Sequence, residues 1–444
     1  MTQPEQPRPG GRERFLKNLA TLAVRLIYRS VEVRQEPGET AAGPQLAVSN
    51  HFGGAADALI QAYALDRVPR YIARDVIWRY PVAKQVMEFV RAIPTHKPED
   101  KGAAGNDQMF RSTYDALHEG DLIMIFPEGI TVEEPTMGRI KTGAARIALG
   151  ARADGVEGIE IIPSGIHYED KGTLRSKVWV NVGAPIRIDA EIDRYAPPGT
   201  AQDASNREAV RVLTAQIEEQ LRRSAPDYAD WEEERALSKA AAIALRSVPG
   251  APSRVDFGDV SELSNRLSAA NETAKERVVD RIGAYVADLD ALGLTDERVV
   301  DAHRESAPFA RHVLWNALIG VLLLPFALIG ALLNIVPFAL IWLIGRRKLG
   351  PAVAATVKPL ASIVLFGSTW AVAAWWMSGV WEAGGALALL LVMPLYLVIV
   401  FVVFERLSAV ARAWRGWRSV RGADLRGSVV EHRRAVVEAV VEAL

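Results

Sequence analysis

A histidine and an aspartate stand in the glycine-rich stretch Asn50 to Asp57, directly after the apolar run of residues 45–49, which predicts a strand. A neutral imidazole, with an unperturbed pKa of about 6.5, can take a proton from an alcohol, and a carboxylate can hold its tautomer and stabilise the imidazolium. At about 100° per residue, a regular helix would keep the His51 and Asp57 side chains apart. The pair therefore meets only if Gly53-Gly54 breaks the path and Asp57 begins the next helix. An ordinary surface loop fits this stretch equally well.

A second segment, residues 121–129, is an apolar strand that stops at Pro127-Glu128-Gly129 and leaves a carboxylate at its end. The carboxyl ends of strands are where α/β proteins keep their sites. Two further short blocks accompany these segments, Ile-Pro-Thr-His-Lys-Pro-Glu-Asp at 93–100 and Ile-Ile-Pro-Ser-Gly at 161–165.

The four blocks, in this order within residues 26–188, resemble the glycerolipid acyltransferases, the glycerol-phosphate and lysophosphatidate acyltransferase family. Five residues separate His51 from Asp57 here, where four are commoner, and this spacing is similar to that of the yeast-type glycerol-phosphate enzymes. The resemblance implies that Glu128, with Gly129 beside it, helps to hold the hydroxyls of the acceptor. A helix N-cap is the alternative role of Glu128.

Many family members carry an arginine directly after Phe-Pro-Glu-Gly, whereas Ile130 stands there in this chain. A phosphate on the acceptor would then need other cations. Arg74 is the first candidate, since by resemblance it occupies a place where the family keeps a basic residue after the first helix. Three more cations that could equally be solvated surface residues are Arg91, Lys97 and Lys141.

Acyl transfer from a thioester to an alcohol needs a base, here His51, with Asp57 to orient it, and donors for the tetrahedral oxyanion. Cysteine is absent and no serine has a nucleophile-elbow pattern, which favours direct attack by the acceptor hydroxyl. The expected oxyanion donors are backbone amides near Gly53-Gly54 or Gly129. No His/acid cluster, including those around His96 and His167, has zinc-like spacing, so neither a metal nor another cofactor is predicted.

The predicted reaction moves a fatty acyl group from acyl-CoA or acyl carrier protein, as co-substrate, to glycerol 3-phosphate or 1-acylglycerol 3-phosphate in phospholipid synthesis. Two alternatives remain at this point: a lysophospholipid-remodelling acyltransferase, and a non-catalytic lipid-binding scaffold of the same fold. A formal net charge of −1 over 444 residues argues against nucleic acid as a partner, and leaves the acyl donor, the acceptor and membrane lipids. The polar, proline-containing start of the chain predicts no secretory signal.

Alternating strand and helix patterns predict a layered α/β fold for the acyltransferase domain, followed by a helical connector and an all-α transmembrane region of two hairpins. An amphipathic helix at residues 14–29 begins that domain, and it either packs on the domain or lies on a membrane. The predicted divisions are a disordered tail at 1–12, the acyltransferase domain at 13–225, the connector at 226–310, about four transmembrane helices at 311–410 and a cytoplasmic helical tail at 411–444.

Residues 313–345 contain no charged residue, and as one helix they would measure about 50 Å against a hydrocarbon core of about 30 Å. Breaks are expected at Pro325, Gly330, Asn334 and Pro337, which predicts a hairpin. A second apolar stretch, 360–404, is interrupted by Glu382 and nearby glycines and predicts another hairpin, with a pair of buried soluble helices as the alternative. Basic residues flank both stretches, so the positive-inside rule predicts a multi-pass protein of the cell membrane with the catalytic domain on the cytoplasmic side.

Overall fold

The computed structural model describes residues 10–36, 43–96, 98–131, 134–171, 173, 175–252, 254–292, 294–303, 306–346, 351–420 and 428–444. Most of the predicted disordered tail, together with Lys97, lies outside the described residues. The chain divides into two compact units, Met1–Asp230 and Trp231–Leu444.

The first unit alternates strands and helices. Its strands are β1 (Ser30–Gln35), β2 (Gln45–Ser49), β3 (Arg70–Arg74), β4 (Ile93–Thr95), β5 (Leu122–Ile125), β6 (Glu160–Tyr168), β7 (Lys177–Val182) and β8 (Ile186–Arg187). Its helices are α1 (Gly11–Ile27), α2 (Ala55–Ala64), α3 (Pro81–Phe89), α4 (Pro98–His118), α5 (Gly143–Ala153), α6 (Ile188–Tyr195) and α7 (Arg207–Ser224), with a 3₁₀ turn at Asp75–Arg79.

The described strands form one sheet in the order β1-β7-β6-β2-β5-β3-β4, and β8 pairs with β6. The strands β6, β2, β5, β3 and β4 run parallel to one another, whereas β7 and β8 run antiparallel to β6. Parallel strands end at the same edge, so the segments after β2, β5 and β3 meet there.

Helices cover both faces of this sheet. In β2 the alternating side chains of Leu46 and Val48 join one buried cluster with α4, α5 and α7, while Ala47 joins the other cluster with α1 and α2. The predicted layered α/β domain is therefore confirmed, with the sheet between two helical layers.

The sequence did not single out β1, β4 and β8 as strands. They are short or lie at the sheet edge, and β1 (SVEVRQ) is exposed over its second half. Such segments become strands because a neighbour accepts their backbone hydrogen bonds, a condition that local periodicity does not reveal.

The second unit contains a body of charged helices, α8 (Trp231–Ser247), α9 (Phe257–Ser268), α10 (Glu272–Leu292), α11 (Asp296–His303) and α15 (Ser428–Ala443). The helix α15 packs on α8 and α10 through its buried residues Val436 and Val440. Arg433 donates to Asp296 at 2.7 Å, which ties α15 to α11. The predicted connector and the predicted C-terminal tail thus form one helical body.

Between α11 and α15 lie the apolar helices α12 (Ser306–Leu333), α13 (Ile335–Gly345) and α14 (Pro351–Val420). Among the described residues, two segments are long and apolar enough to cross a membrane, Val313–Leu333 and Leu387–Ala411, with mean hydropathies of 2.3 and 3.0. Among the four predicted break positions, the helix is interrupted at Asn334. Pro325 lies inside α12, and Pro337 falls in the first turn of α13, where a missing N–H leaves no hydrogen bond unmade.

The segment α14 is helical along its whole length, but it does not form one straight helix. The ring of Phe338 lies 5.4 Å from that of Phe366 and 6.2 Å from that of Phe401. These two rings are therefore within about 12 Å of each other, whereas 35 residues of straight helix would separate them by about 52 Å. The chain reverses between Phe366 and Phe401, in the region where the second hairpin is predicted.

Candidate active site

His51 and Asp57 are brought together by a tight loop at the carboxyl end of β2. Gly54 has φ +64° and precedes α2, whose first turn contains Asp57. His51 Nδ1 lies 2.8 Å from Asp57 Oδ2. Gly54 adopts a backbone conformation that residues with a Cβ rarely occupy. The chain therefore turns at Gly53-Gly54, and this turn lets His51 and Asp57 meet.

The Asp57 carboxylate is fully buried and has two further donors. The Gly53 N–H donates to both of its oxygens, at 3.0 and 2.8 Å, and the Tyr168 hydroxyl donates to Oδ1 at 2.5 Å. Burial raises the pKa of Tyr168 well above its usual value, so the phenol remains a donor. A side chain at Gly53 would collide with Asp57 and with Tyr168.

The backbone before His51 is held by side chains. Asn50 is buried, and its amide accepts from the Ile166 N–H at 2.8 Å and donates to the Ile166 carbonyl at 3.0 Å. It therefore extends the β2–β6 pairing by one step after the strand has ended. Gln61 of α2 bonds Ser49 and Ser164, which fixes the helix that carries Asp57.

The imidazole of His51 is partly exposed and stacks on the ring of Phe126, with centroids 4.2 Å apart and planes 17° apart. With Nδ1 directed at Asp57, Nε2 is the ring nitrogen that remains for a substrate, and among the described residues it has no hydrogen-bond partner. An imidazole held in this way can accept a proton at Nε2 while Asp57 stabilises the resulting charge.

Glu128 is at the same edge, but its carboxylate points inward. It is 2% exposed, and its oxygens accept the backbone N–H groups of His51 at 3.2 Å and Gly138 at 3.4 Å. Burial raises the pKa of this carboxyl above its usual value, against the two donors that lower it. The alternative role as a helix N-cap is wrong, because the next helix, α5, begins only at Gly143.

Gly129 and Lys141 close the loop that follows β5. Gly129 has φ +69°, and the Lys141 ammonium occupies the place where a side chain at Gly129 would stand. The Lys141 N–H donates to the Pro127 carbonyl at 2.9 Å. Lys141 is therefore an exposed cation beside the Pro-Glu-Gly turn.

The other predicted cations are distributed differently. Arg74 is exposed at the carboxyl end of β3, which pairs with β5, and so lies on the edge that carries His51. Arg91 lies near the opposite, amino-terminal ends of the strands. There it pairs with Glu119 at 2.5 Å and with Asp121, the residue before β5, at 3.4 Å. The structure does not bring Arg91 to the site, and Lys97 is outside the described residues.

Two of the amides expected to bind an oxyanion are already used within the loops. The Gly53 N–H donates to Asp57, and the Gly129 N–H donates to the Phe126 carbonyl at 3.0 Å. Of the predicted donors, the Gly54 N–H remains a candidate. Within the part of the chain that the structure describes, no group of three His, Asp or Glu side chains is placed to hold a metal ion.

Tyr168, Asn50 and the stacked Phe126 were not predicted as parts of the site. Tyr168 stands 111 positions from Asp57, and only the register of β6 beside β2 brings the two together. The polar Asn50, placed between a buried strand and His51, is the one signal in the sequence that could have been used.

Known proteins match the part of the chain that contains these residues. Residues 29–167 match the model of the Acyltransferase family. Over 127 residues the chain is 35% identical to Glycerol-3-phosphate O-acyltransferase 2 of Saccharomyces cerevisiae, a stretch that covers 28% of this chain and 16% of that protein. Residues 29–167 therefore form a domain that is similar to the glycerolipid acyltransferases.

Two further relatives match different lengths of the chain. Glycerol-3-phosphate O-acyltransferase 1 of S. cerevisiae is 31% identical over 136 residues, which are 30% of this chain and 17% of that protein. An uncharacterized acyltransferase of Schizosaccharomyces pombe is 26% identical over 255 residues, 54% of this chain and 35% of the relative. The matched stretches thus span about a sixth of the length of the two S. cerevisiae proteins. Among solved structures, the 1-acyl-sn-glycerophosphate acyltransferase PlsC of Thermotoga maritima matches with a TM-score of 0.34 and 19% identity, covering 48% of this chain and 83% of that one.

Proposed function

We propose that this protein is a membrane-bound O-acyltransferase that moves a fatty acyl group from a thioester donor to a hydroxyl of a glycerol-phosphate acceptor. The observation that carries the proposal is the His51–Asp57 pair, joined at 2.8 Å at the carboxyl edge of the sheet with Nε2 directed away from Asp57. Acyl-CoA and acyl carrier protein are the two candidate donors.

The proposed reaction is a direct attack. His51 Nε2 takes the proton of the acceptor hydroxyl as its oxygen forms a bond to the thioester carbonyl carbon. Asp57 stabilises the imidazolium, and the tetrahedral intermediate collapses with cleavage of the C–S bond. The imidazolium then returns the proton to the leaving thiolate, so the enzyme ends in its starting state.

Glycerol 3-phosphate is the acceptor that we favour over 1-acylglycerol 3-phosphate. The names of the two S. cerevisiae relatives support it, as does the five-residue spacing between His51 and Asp57. Arg74 and Lys141 are the cations that we propose for its phosphate, because both are exposed at the edge that carries His51. Glu128 supports the site by holding the His51 backbone, since its buried oxygens are already bonded to backbone donors.

The apolar helices support a membrane location for the proposed enzyme. The chain leaves the helical body after α11 and returns to it at α15, so both ends of the apolar segment start from the same body. A segment that leaves and returns in this way crosses the membrane an even number of times. With the basic flanks of the hairpins, this supports a multi-pass protein of the cell membrane whose catalytic domain faces the cytoplasm.

Purified full-length protein in lipid vesicles provides the test. Labelled glycerol 3-phosphate, lysophosphatidate and a lysophospholipid without a phosphate monoester are each offered with acyl-CoA and with acyl carrier protein. We expect acylation of glycerol 3-phosphate, and we expect His51→Ala to lower the rate by about 10²–10⁴-fold, with a large loss in Asp57→Asn as well.

A matched control exists in the same unit. His118 and Asp154 form another His–Asp pair, 3.2 Å apart but exposed, at the ends of α4 and α5. His118→Ala and Asp154→Asn should leave the rate unchanged. Acylation of the lysophospholipid alone would favour the remodelling alternative, and no acylation of any acceptor would contradict the proposed function.

A further inference from the structure

The helix α1 presents its large apolar side chains outward. Small or branched residues (Ala20, Ala23, Val24 and Ile27) are buried against the first unit, and the Lys17 ammonium donates to carbonyls at the end of α2. Phe15, Leu19 and Leu22 form a stripe at helical spacing on the other side, and they are 57%, 49% and 50% exposed.

A second stripe with the same spacing lies on α3. Val82, Val86 and Phe89 are 75%, 48% and 44% exposed, and no residue of α3 is buried. The two stripes meet where the ring of Phe89 packs edge-on against Phe15, with centroids 6.2 Å apart. We call these six residues the α1–α3 surface.

The charges around the α1–α3 surface are mostly basic. The Arg12 guanidinium lies 5.6 Å from the centre of the Phe89 ring. Arg14 of α1, Lys84 of α3 and Arg79 of the 3₁₀ turn before α3 are exposed. Among the acids of these elements, Glu13 is turned to the Val68 N–H and Asp75 to His96, which leaves Glu88 beside Lys84. Exposed aromatic and aliphatic stripes bordered by arginine and lysine fit the headgroup region of an anionic membrane.

We propose that the α1–α3 surface lies in the interface of an anionic lipid bilayer, so that the acyltransferase domain touches the membrane directly as well as being tethered by the apolar helices. Soluble proteins rarely leave a contiguous apolar patch of this kind in water. Basic residues at its border add attraction to anionic headgroups, which weakens as salt increases. This contact depends on the surface alone and would hold if the proposed reaction were wrong.

The absence of cysteine from the chain allows a direct test with the full-length protein. Single cysteines at Leu19 and Val82, labelled with an environment-sensitive fluorophore, are compared in vesicles that contain phosphatidylglycerol. The control label is at Glu157, an exposed residue between α5 and β6. We expect a blue-shifted emission for labels 19 and 82 and a loss of intensity with lipids that carry a quencher in the upper acyl chain, and neither change for label 157.

The same system tests the role of the basic residues and whether lipid or protein covers the α1–α3 surface. The double variant Arg12→Glu, Lys84→Glu should reduce the quenching of label 82, and so should purely zwitterionic vesicles, while the apolar helices keep the protein in the membrane. Quenching of labels 19 and 82 no stronger than that of label 157 would overturn the proposal. A blue shift without lipid quenching would overturn it too, since it would mean that a second copy or another part of the chain covers the surface.

Discussion

At the scale of single residues, the proposed base is held in place by several neighbouring groups of the protein. Asp57 receives the Gly53 N–H and the Tyr168 hydroxyl as well as His51, and Phe126 supports the flat face of the imidazole. Each contact restricts the rotation of the imidazole ring or of the Asp57 carboxylate. Tyr168 is therefore a positioning residue whose effect should appear in the pH dependence of the reaction.

Tyr168→Phe removes one hydrogen bond to the Asp57 carboxylate, which then keeps more of its negative charge for the imidazolium. A more strongly stabilised imidazolium loses its proton at higher pH, so the acid limb of the kcat/KM profile should move to higher pH. Tyr195→Phe is the matched control, because the Tyr195 hydroxyl donates to Glu191 away from the site. Superimposable profiles for Tyr168→Phe and the unaltered protein would exclude this role.

Arg74 and Arg91 can be compared to test the site of the acceptor phosphate, since they lie at opposite ends of the strands. Arg74→Ala should raise the KM for glycerol 3-phosphate and hardly change that for the acyl donor, because a lost ground-state contact appears in the substrate that made it. Arg91→Ala should change neither KM. Equal acceptor KM values in both variants would mean that the phosphate binds elsewhere.

At the scale of elements, the site depends on strand direction and on how the surrounding helices are attached. The long strand β6 is buried along its length, pairs with β2 and β7, and contacts α7 through His167. His167 Nε2 lies 3.0 Å from the Ser224 carbonyl, and the ring packs against Trp179. Burial lowers the pKa of His167 to about 4, so this imidazole remains neutral and serves packing rather than catalysis.

His167 should make the first unit sensitive to acid. An unfolded histidine gains a proton below about pH 6.5, while the folded one resists it down to about pH 4, so stability is fully present above pH 6.5 and falls as the pH is lowered through this window. The total loss from this group is roughly 3 kcal/mol at about 1.4 kcal/mol per unit. His167→Gln keeps a donor for Ser224 but has no such proton to gain.

Hydrogen exchange of the β6 peptide, corrected for intrinsic rates, measures this effect in the full-length protein. Between about pH 7 and about pH 4.5, protection should fall less in His167→Gln than in the unaltered chain. His118→Gln, an exposed histidine, is the control and should behave as the unaltered chain does. A constant difference between the His167 variant and the parent at both pH values would contradict the prediction.

At the scale of the whole molecule, the last helix determines how the second unit is connected. Arg433 bonds Asp296, Arg277 pairs with Glu442, and His432 lies 2.8 Å from Asp288. The C-terminal residues are thus part of the helical body, and the apolar helices are an excursion from it. Removing everything after residue 310 would therefore also uncover the face of α10 that α15 covers.

The excursion predicts that the C-terminus and the acyltransferase domain lie on one side of the membrane. Single cysteines at Glu157 and Leu444, both exposed, should react with a membrane-impermeant maleimide in inside-out vesicles and in neither case in intact cells. Reaction from opposite sides would contradict an even number of crossings. Detergent-solubilised protein, where both sites should react, checks that each cysteine is accessible.

The sequence by itself determined the features that depend on neighbours in the chain. Periodicity and glycine placement predicted β2, α2 and the loop that joins His51 to Asp57. Sustained apolar composition predicted the long apolar helices, with a reversal that the structure has between Phe366 and Phe401. Tertiary structure decided that Arg74 and Arg91 lie at opposite ends of the strands, that Glu128 faces inward, that Tyr168 reaches Asp57 and that α15 returns to α10. The reason is physical: helix and turn preferences act over a few residues, whereas strand order, direction and register bring together groups more than a hundred residues apart, and no local pattern encodes that pairing.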